Sequence, residues 1–183
     1  MQTRAFRPSR PVLGLASVLL AALFAIPTAG QWFPSRFFAH LSAASEVPAN
    51  ESIAKGQALF ELSDDGSELY YTLIVANIQN VTASHIHLAP EGVNGPVVAF
   101  LYGSAPPAGG RFDGVLATGV ITAADLVGPL AGQPLSALID NLRAGNAYVN
   151  VHTNDGVAPT NTGPGDFPGV EIRGQVRAPG PPR

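Results

Sequence analysis

From about residue 36 onward, apolar and polar positions alternate with a period near two, in short runs punctuated by Gly, Pro, Asn and Asp. A two-residue period places successive side chains on opposite faces of an extended chain, so each run predicts a half-buried β-strand. The runs are 36–43, 54–62, 68–76, 81–89, 97–102, 114–121, 146–153 and 170–177. Short strands in that number, separated by turn signals, predict an all-β fold, an antiparallel Greek-key β-sandwich. Between the second and third runs, Ser63-Asp64-Asp65-Gly66 supplies residues that tolerate tight-turn angles, so those two strands should pair antiparallel. In the third run Leu69, Tyr71, Leu73 and Val75 share one face, which is assigned to the core.

The alternation breaks once. Over 134–144, Leu135, Leu138, Ile139 and Leu142 recur at helical spacing, with Pro134 at the start and Gly145 just past the end. This predicts one short amphipathic helix packed on the sheet. Thr122 to Val127 reads as a further turn of helix. The stretch 154–169 is rich in Gly, Pro, Asn and Asp and is read as a long exposed loop. A mobile connector is preferred there over a lid or a Ca²⁺ site built on Asp155 and Asp166. Residues 31–35 are a lead-in, and 178–183, with three prolines, are expected to be a disordered tail.

The first 30 residues follow another logic. Arg4, Arg7 and Arg10 precede a continuous uncharged run from Val12 to Ile26, and Thr28-Ala29-Gly30 supplies small residues. That is the pattern of a secretory signal peptide cleaved near Gly30, and Pro27 ends the run before it is long enough for a spanning helix. A secreted or periplasmic product with no membrane span in the mature chain is expected. The leader carries 3 of the 10 basic residues and none of the 13 acidic ones, so cleavage takes the net charge from −3 to about −6. With that charge and no basic run, nucleic acid is not an expected partner. The chain has no cysteine, and a mature domain of about 150 residues is long enough to bury a core without disulfides.

Candidate chemistry lies in three histidines. His85 and His87 are two residues apart in one strand run, so they share a face with Cα atoms roughly 6.6 Å apart. His152 lies in a later run. Neutral imidazoles are common metal ligands, and three of them leave one coordination position open. A Cu or Zn site on His85, His87 and His152 is therefore expected if their ring nitrogens converge within about 4 Å of one another, since each must lie about 2.0 to 2.1 Å from the ion. The alternative is that they are hydrogen-bonding surface residues. His40 has no such company and is read as a surface histidine. Nucleophilic chemistry has no support: there is no Gly-x-Ser-x-Gly elbow and no Cys, and Ser84 belongs to the opposite strand face from His85. Glu46 and Glu171 are candidates to orient an imidazole from behind. A turn carboxylate and an ion-paired strand residue are the respective alternatives.

Several segments carry a family resemblance: Leu41-Ser42-Ala43-Ala44-Ser45-Glu46-Val47-Pro48, Asn80-Val81-Thr82-Ala83-Ser84-His85-Ile86-His87, Asn94-Gly95-Pro96-Val97-Val98, Arg143 to Thr153, and Glu171-Ile172-Arg173-Gly174-Gln175. Over 36–177 the chain resembles the chordin-type CHRD domain. The resemblance implies a β-sandwich acting outside the cell on an extracellular protein or small ligand. Val170 is a departure, since it separates Gly169 from Glu171 where the family runs Gly directly into Glu. A second resemblance is in pattern: His-x-His on one strand, a late Val-His strand, a long loop and a final strand with Arg are similar to copper/zinc superoxide dismutases. It implies that His85, His87 and His152 ligate copper and that Arg173 guides an anion to the open position. The cysteine pair and the metal-bridging histidine of that family are missing, which leaves a mononuclear site. The expected function is thus a secreted binding module with a three-histidine Cu or Zn site. The alternatives are a copper redox enzyme and a structural matrix or envelope protein without metal.

Overall fold

The computed structural model describes residues 35–180. The leader expected over 1–30, nearly all of the lead-in and the last three residues lie outside the described residues. The strands are β1 (Arg36–Ser42), β2 (Lys55–Leu62), β3 (Leu69–Gln79), β4 (Val81–His87), β5 (Val97–Tyr102), β6 (Arg111–Ile121), β7 (Tyr148–Thr153) and β8 (Ile172–Gln175). The α-helix, α1, spans Leu135–Arg143. All eight expected strands are present, and every strand pairing is antiparallel.

Local chemistry explains the punctuation. In the turn after β2, Asp65 Oδ1 accepts hydrogen bonds from Ser63 Oγ and from Ser67 N and Oγ. Those bonds hold its carboxyl down at about 2. Gly66 adopts φ 73° there. The turn sets the β2–β3 register, from Leu62 opposite Leu69 to Lys55 opposite Ala76, as the turn residues require. Helix α1 buries Leu135, Leu138, Ile139 and Leu142, and Gly145 follows it at φ 67°. The further helical turn is a short 3-10 turn at Ala123–Asp125, where Thr122 and Asp125 cap one another. Most boundaries agree with the sequence reading to within two residues, and two differ by three. Strand β3 runs on to Gln79 and β6 starts at Arg111, because a register shift lets Ile78 and Gln79 pair with Phe112 and Arg111.

The strands form one sheet in the order β5-β4-β7-β8-β1-β2-β3-β6. The sheet curls so that its two ends face each other, which gives a sandwich-like fold within one hydrogen-bonded sheet. The Tyr71 hydroxyl on β3 donates to Leu101 O on β5 at 2.8 Å, across the core. The chain passes between the halves at Asn80, φ 54°, between β3 and β4. Asn80 pins that corner by exchanging hydrogen bonds with Gly110 and by donating from its side chain to Gly165 O. Inward-facing Phe37, Leu41, Phe60, Leu69, Leu73, Ile86, Val98, Val149, Val151 and Ile172 form the core with the helix leucines. Each such side chain contributes roughly 1.5 to 3 kcal/mol by leaving water. Tyr71, expected in the core, is only partly buried and packs against it, its hydroxyl bonded to the β5 backbone.

Candidate metal centre

The site lies on the outward face of β4, β7 and β8, opposite the core. On β4, Ser84 and Ile86 point inward and are fully buried, so His85 and His87 point outward. On β7 the inward residues are Val149 and Val151, which places Tyr148, Asn150 and His152 on the outer face. On β8 Ile172 is in the core, and Arg173 and Gln175 share the outer face. The register sets His87 opposite Tyr148, and His85 opposite Asn150 with His152 as its diagonal neighbour.

One ring nitrogen from each of His85, His87 and His152 lies within 4.8 Å of the others. The tightest approach is His85 Nδ1 to His152 Nε2, 3.1 Å. Two nitrogens at about 2.1 Å from one ion are at most about 4.2 Å apart, so the 4.8 Å spread is wider than the about 4 Å expected and the rings would have to draw together by several tenths of an ångström to share one ion. Both outer rings are already oriented. His87 Nδ1 bonds Gly95 O at 2.8 Å, and His152 Nδ1 bonds Pro168 O at 2.9 Å. A carbonyl accepts only, so each Nδ1 carries the proton and each Nε2 presents its lone pair to the cluster. His87 Nε2 is buried and has no partner. A Cβ at Gly95 would lie 1.8 Å from Leu88 O, so only glycine brings that carbonyl to His87.

Burial sets the charge state. It lowers all three imidazoles from their ordinary value, and His85 is pushed down to about 4 by desolvation first and then by its two histidine neighbours. Neutral rings at neutral pH are what a metal requires. His40 stands apart: it is exposed on β1 against Phe38.

The remaining candidates have other duties. Arg173 is 1% exposed and lies behind Tyr148, its guanidinium 3.5 Å from the ring centroid. Tyr148 in turn stacks on His87, with centroids 4.8 Å apart. The guanidinium donates to Asn94 Oδ1, Val93 O and Pro90 O. It thus braces the 88–96 loop and, through Tyr148, the His87 ring, and no donor of it is engaged with a histidine. Glu171 is fully buried and accepts from Ser52 Oγ, Thr153 Oγ1 and Gly165 N. It fastens the 154–169 loop that carries Pro168 O, so its influence on His152 is indirect. That loop, expected to be mobile, is also tied by paired bonds between Thr153 and Phe167. Asp155 and Asp166 bond within it: Asp166 Oδ2 accepts from Thr162, and Asp155 Oδ1 from Val157 N, while Asp166 Oδ1 is buried without a partner.

Glu46 lines a cleft of about 560 Å³ together with His87, Tyr148, Asn150, His152 and Phe167. Sequence reasoning missed Tyr148, Asn150 and the two carbonyl anchors. Carrying the two-residue period back from His152 reaches Asn150 and Tyr148. Nothing local in the sequence marks Gly95 O or Pro168 O.

The family model for the CHRD domain matches residues 37–176, a span that contains the site and all but the first residue of the strands. No curated protein matches the chain.

Proposed function

The chain belongs to the CHRD-domain family, and from that premise we propose an extracytoplasmic binding module in which His85, His87 and His152 hold one Cu or Zn ion. The observation that carries this reading is the convergence of three ring nitrogens within 4.8 Å, two of the rings held by Nδ1 bonds to Gly95 O and Pro168 O. A hydrogen bond between His85 Nδ1 and His152 Nε2 accounts for two of the rings, but not for the third, His87, whose buried Nε2 has no partner. Three neutral imidazoles suit either metal, and copper(II) outcompetes zinc at generic nitrogen sites, so supply outside the cell selects between them. When bound, the ion supplies a Lewis-acidic position facing the cleft. The chain's own residues orient the imidazoles and, with Phe167 and Tyr148, limit water around them.

Secretion belongs to the same proposal, on the strength of the leader pattern over 1–30 and the family. No helix among the described residues is long and apolar enough to cross a membrane. The test is metal stoichiometry and thermal unfolding of the full chain with and without Cu²⁺ or Zn²⁺. One ion per chain and a raised melting temperature are expected, because a ligand of the native state adds RT ln(1 + [L]/Kd) to stability. Equal metal-induced stabilisation of wild type and a His85, His87, His152 triple alanine variant would sink the site.

A further inference from the structure

The cleft beside the histidines is far larger than a coordinated water needs: about 560 Å³ against about 30 Å³ for one water. Its walls include Val47, Pro48, Ala49, Phe167 and Val170. Its asparagines are largely occupied. Asn50 bonds Ser52 N and Glu171 O, and Asn94 bonds Val47 O and Arg173. Two buried side-chain atoms of cleft-lining residues have no partner among the described residues, His87 Nε2 and Glu46 Oε2. The metal reading accounts for the first and leaves the second. Glu46 is not part of the three-histidine cluster. Its Oε1 accepts from Val47 N at 2.9 Å, which fixes the carboxyl and leaves Oε2 for something else.

Charge narrows what that is. Arg173 has no carboxylate within ion-pair distance among the described residues, and its positive charge is felt at both Glu46 and His87. Burial raises the Glu46 carboxyl above its ordinary value, against the Val47 N–H and the Arg173 charge, which lower it. A dication on neutral imidazoles would add to the positive side. Glu171, the nearby buried anion, is already satisfied by Ser52, Thr153 and Gly165. A cleft with apolar walls, one unmatched carboxyl and a coordination position open on a dication suits an anion with an apolar body.

We propose that the cleft takes a small monocarboxylate with an apolar body, one carboxylate oxygen at the open coordination position and the other hydrogen-bonded to Glu46. This rests on the metal reading above. The experiment loads the full chain with Co²⁺, whose visible spectrum reports a change of ligand, and titrates it with acetate, benzoate and benzyl alcohol. Benzoate should bind saturably and about tenfold or more tightly than acetate, since its ring enters the apolar walls. Benzyl alcohol should bind more weakly than benzoate. Glu46→Ala should weaken benzoate about tenfold at unchanged cobalt stoichiometry, and Glu46→Gln, which keeps a donor, should restore most of the affinity. Benzoate no tighter than acetate, benzyl alcohol equal to benzoate, or an unchanged Glu46→Ala variant would each overturn the proposal with the metal site intact. Failure of the wild type to retain cobalt is seen before any carboxylate is added and overturns the histidine reading itself.

Discussion

The outward faces of the two halves of the sheet obey opposite rules. On β2 and β3 the outer face is left to solvent, with Leu59 40% and Tyr70 46% exposed. On β4, β7 and β8 the outer face is covered by three loops, 46–54, 88–96 and 154–169, and what lies beneath them is polar: His87, Asn150, Glu171 and Arg173 are all buried. An apolar side chain in water costs little, whereas a buried polar group must find partners or it destabilises the fold. Most polar atoms of the covered face have found one; the exceptions are His87 Nε2 and Glu46 Oε2, which line the cleft, and Gln175 Oε1 on β8 and Asp166 Oδ1 in the 154–169 loop, which do not. The covered face is therefore where the proposed site sits, and its loops satisfy that face as much as they hide it.

The largest way to break this contrast is at the cluster. His152→Ala should lower Cu²⁺ or Zn²⁺ affinity by about 10³-fold, about 4 kcal/mol, in calorimetric titration, while His40→Ala leaves it unchanged. A comparable loss in both would mean that the metal binds elsewhere. Next is the buried carboxylate: Glu171→Ala strands Ser52, Thr153 and the Gly165 N–H and should cost about 3 kcal/mol in urea unfolding. It should also weaken metal binding, because the loop bearing Pro168 O loosens. An unchanged urea midpoint would refute the anchoring role.

A smaller effect is expected from acid. The folded imidazoles lie below their ordinary value, His85 at about 4, so the unfolded chain takes up protons first. Stability of the metal-free protein should be full above about pH 6.5 and fall as pH drops toward 4. Glu46, raised by burial, works in the opposite direction. Exposed acids such as Asp113 and Asp125, held low by hydrogen bonds, matter only in stronger acid. A urea midpoint that stays flat between pH 7.5 and 5 would contradict the desolvated cluster. The smallest change belongs to the open face: Leu59→Thr on β2 should shift stability by less than about 0.5 kcal/mol. A larger loss would show that this face is covered after all.

The open half was legible because one period and one turn specify it. Leu69, Leu73 and Val75 alternate with outward residues, and Ser63 to Ser67 can close only a tight hairpin. The helix was legible for the same reason, from four apolar residues at helical spacing. Strand β7 shows where pattern reading stops. Tyr148-Val149-Asn150-Val151-His152-Thr153 alternates as a half-exposed strand does, yet it is buried on both faces apart from His152, which is partly buried. Arg173 illustrates the same limit. Its place on the final strand suggested an anion guide, but its charge is held under Tyr148 by the 88–96 loop. Val170, the departure beside Glu171, leaves the buried Glu171 network intact. The loop at 154–169 reads as a connector by composition, because the bonds that fasten it come from Asn80, Thr153 and Glu171, outside the loop.

By itself the sequence determined where the eight strands and the helix lie, which face of β3 turns inward, and that His85 and His87 share a face. These are consequences of near-neighbour spacing and the preference of apolar groups to leave water. Only the tertiary structure decided that β7 pairs with β4, which brings His152 to the other two, and that Gly95 and Pro168 present carbonyls to hold the rings. Strand pairing and backbone hydrogen bonding join residues tens of positions apart, and no local period records which distant segments will meet.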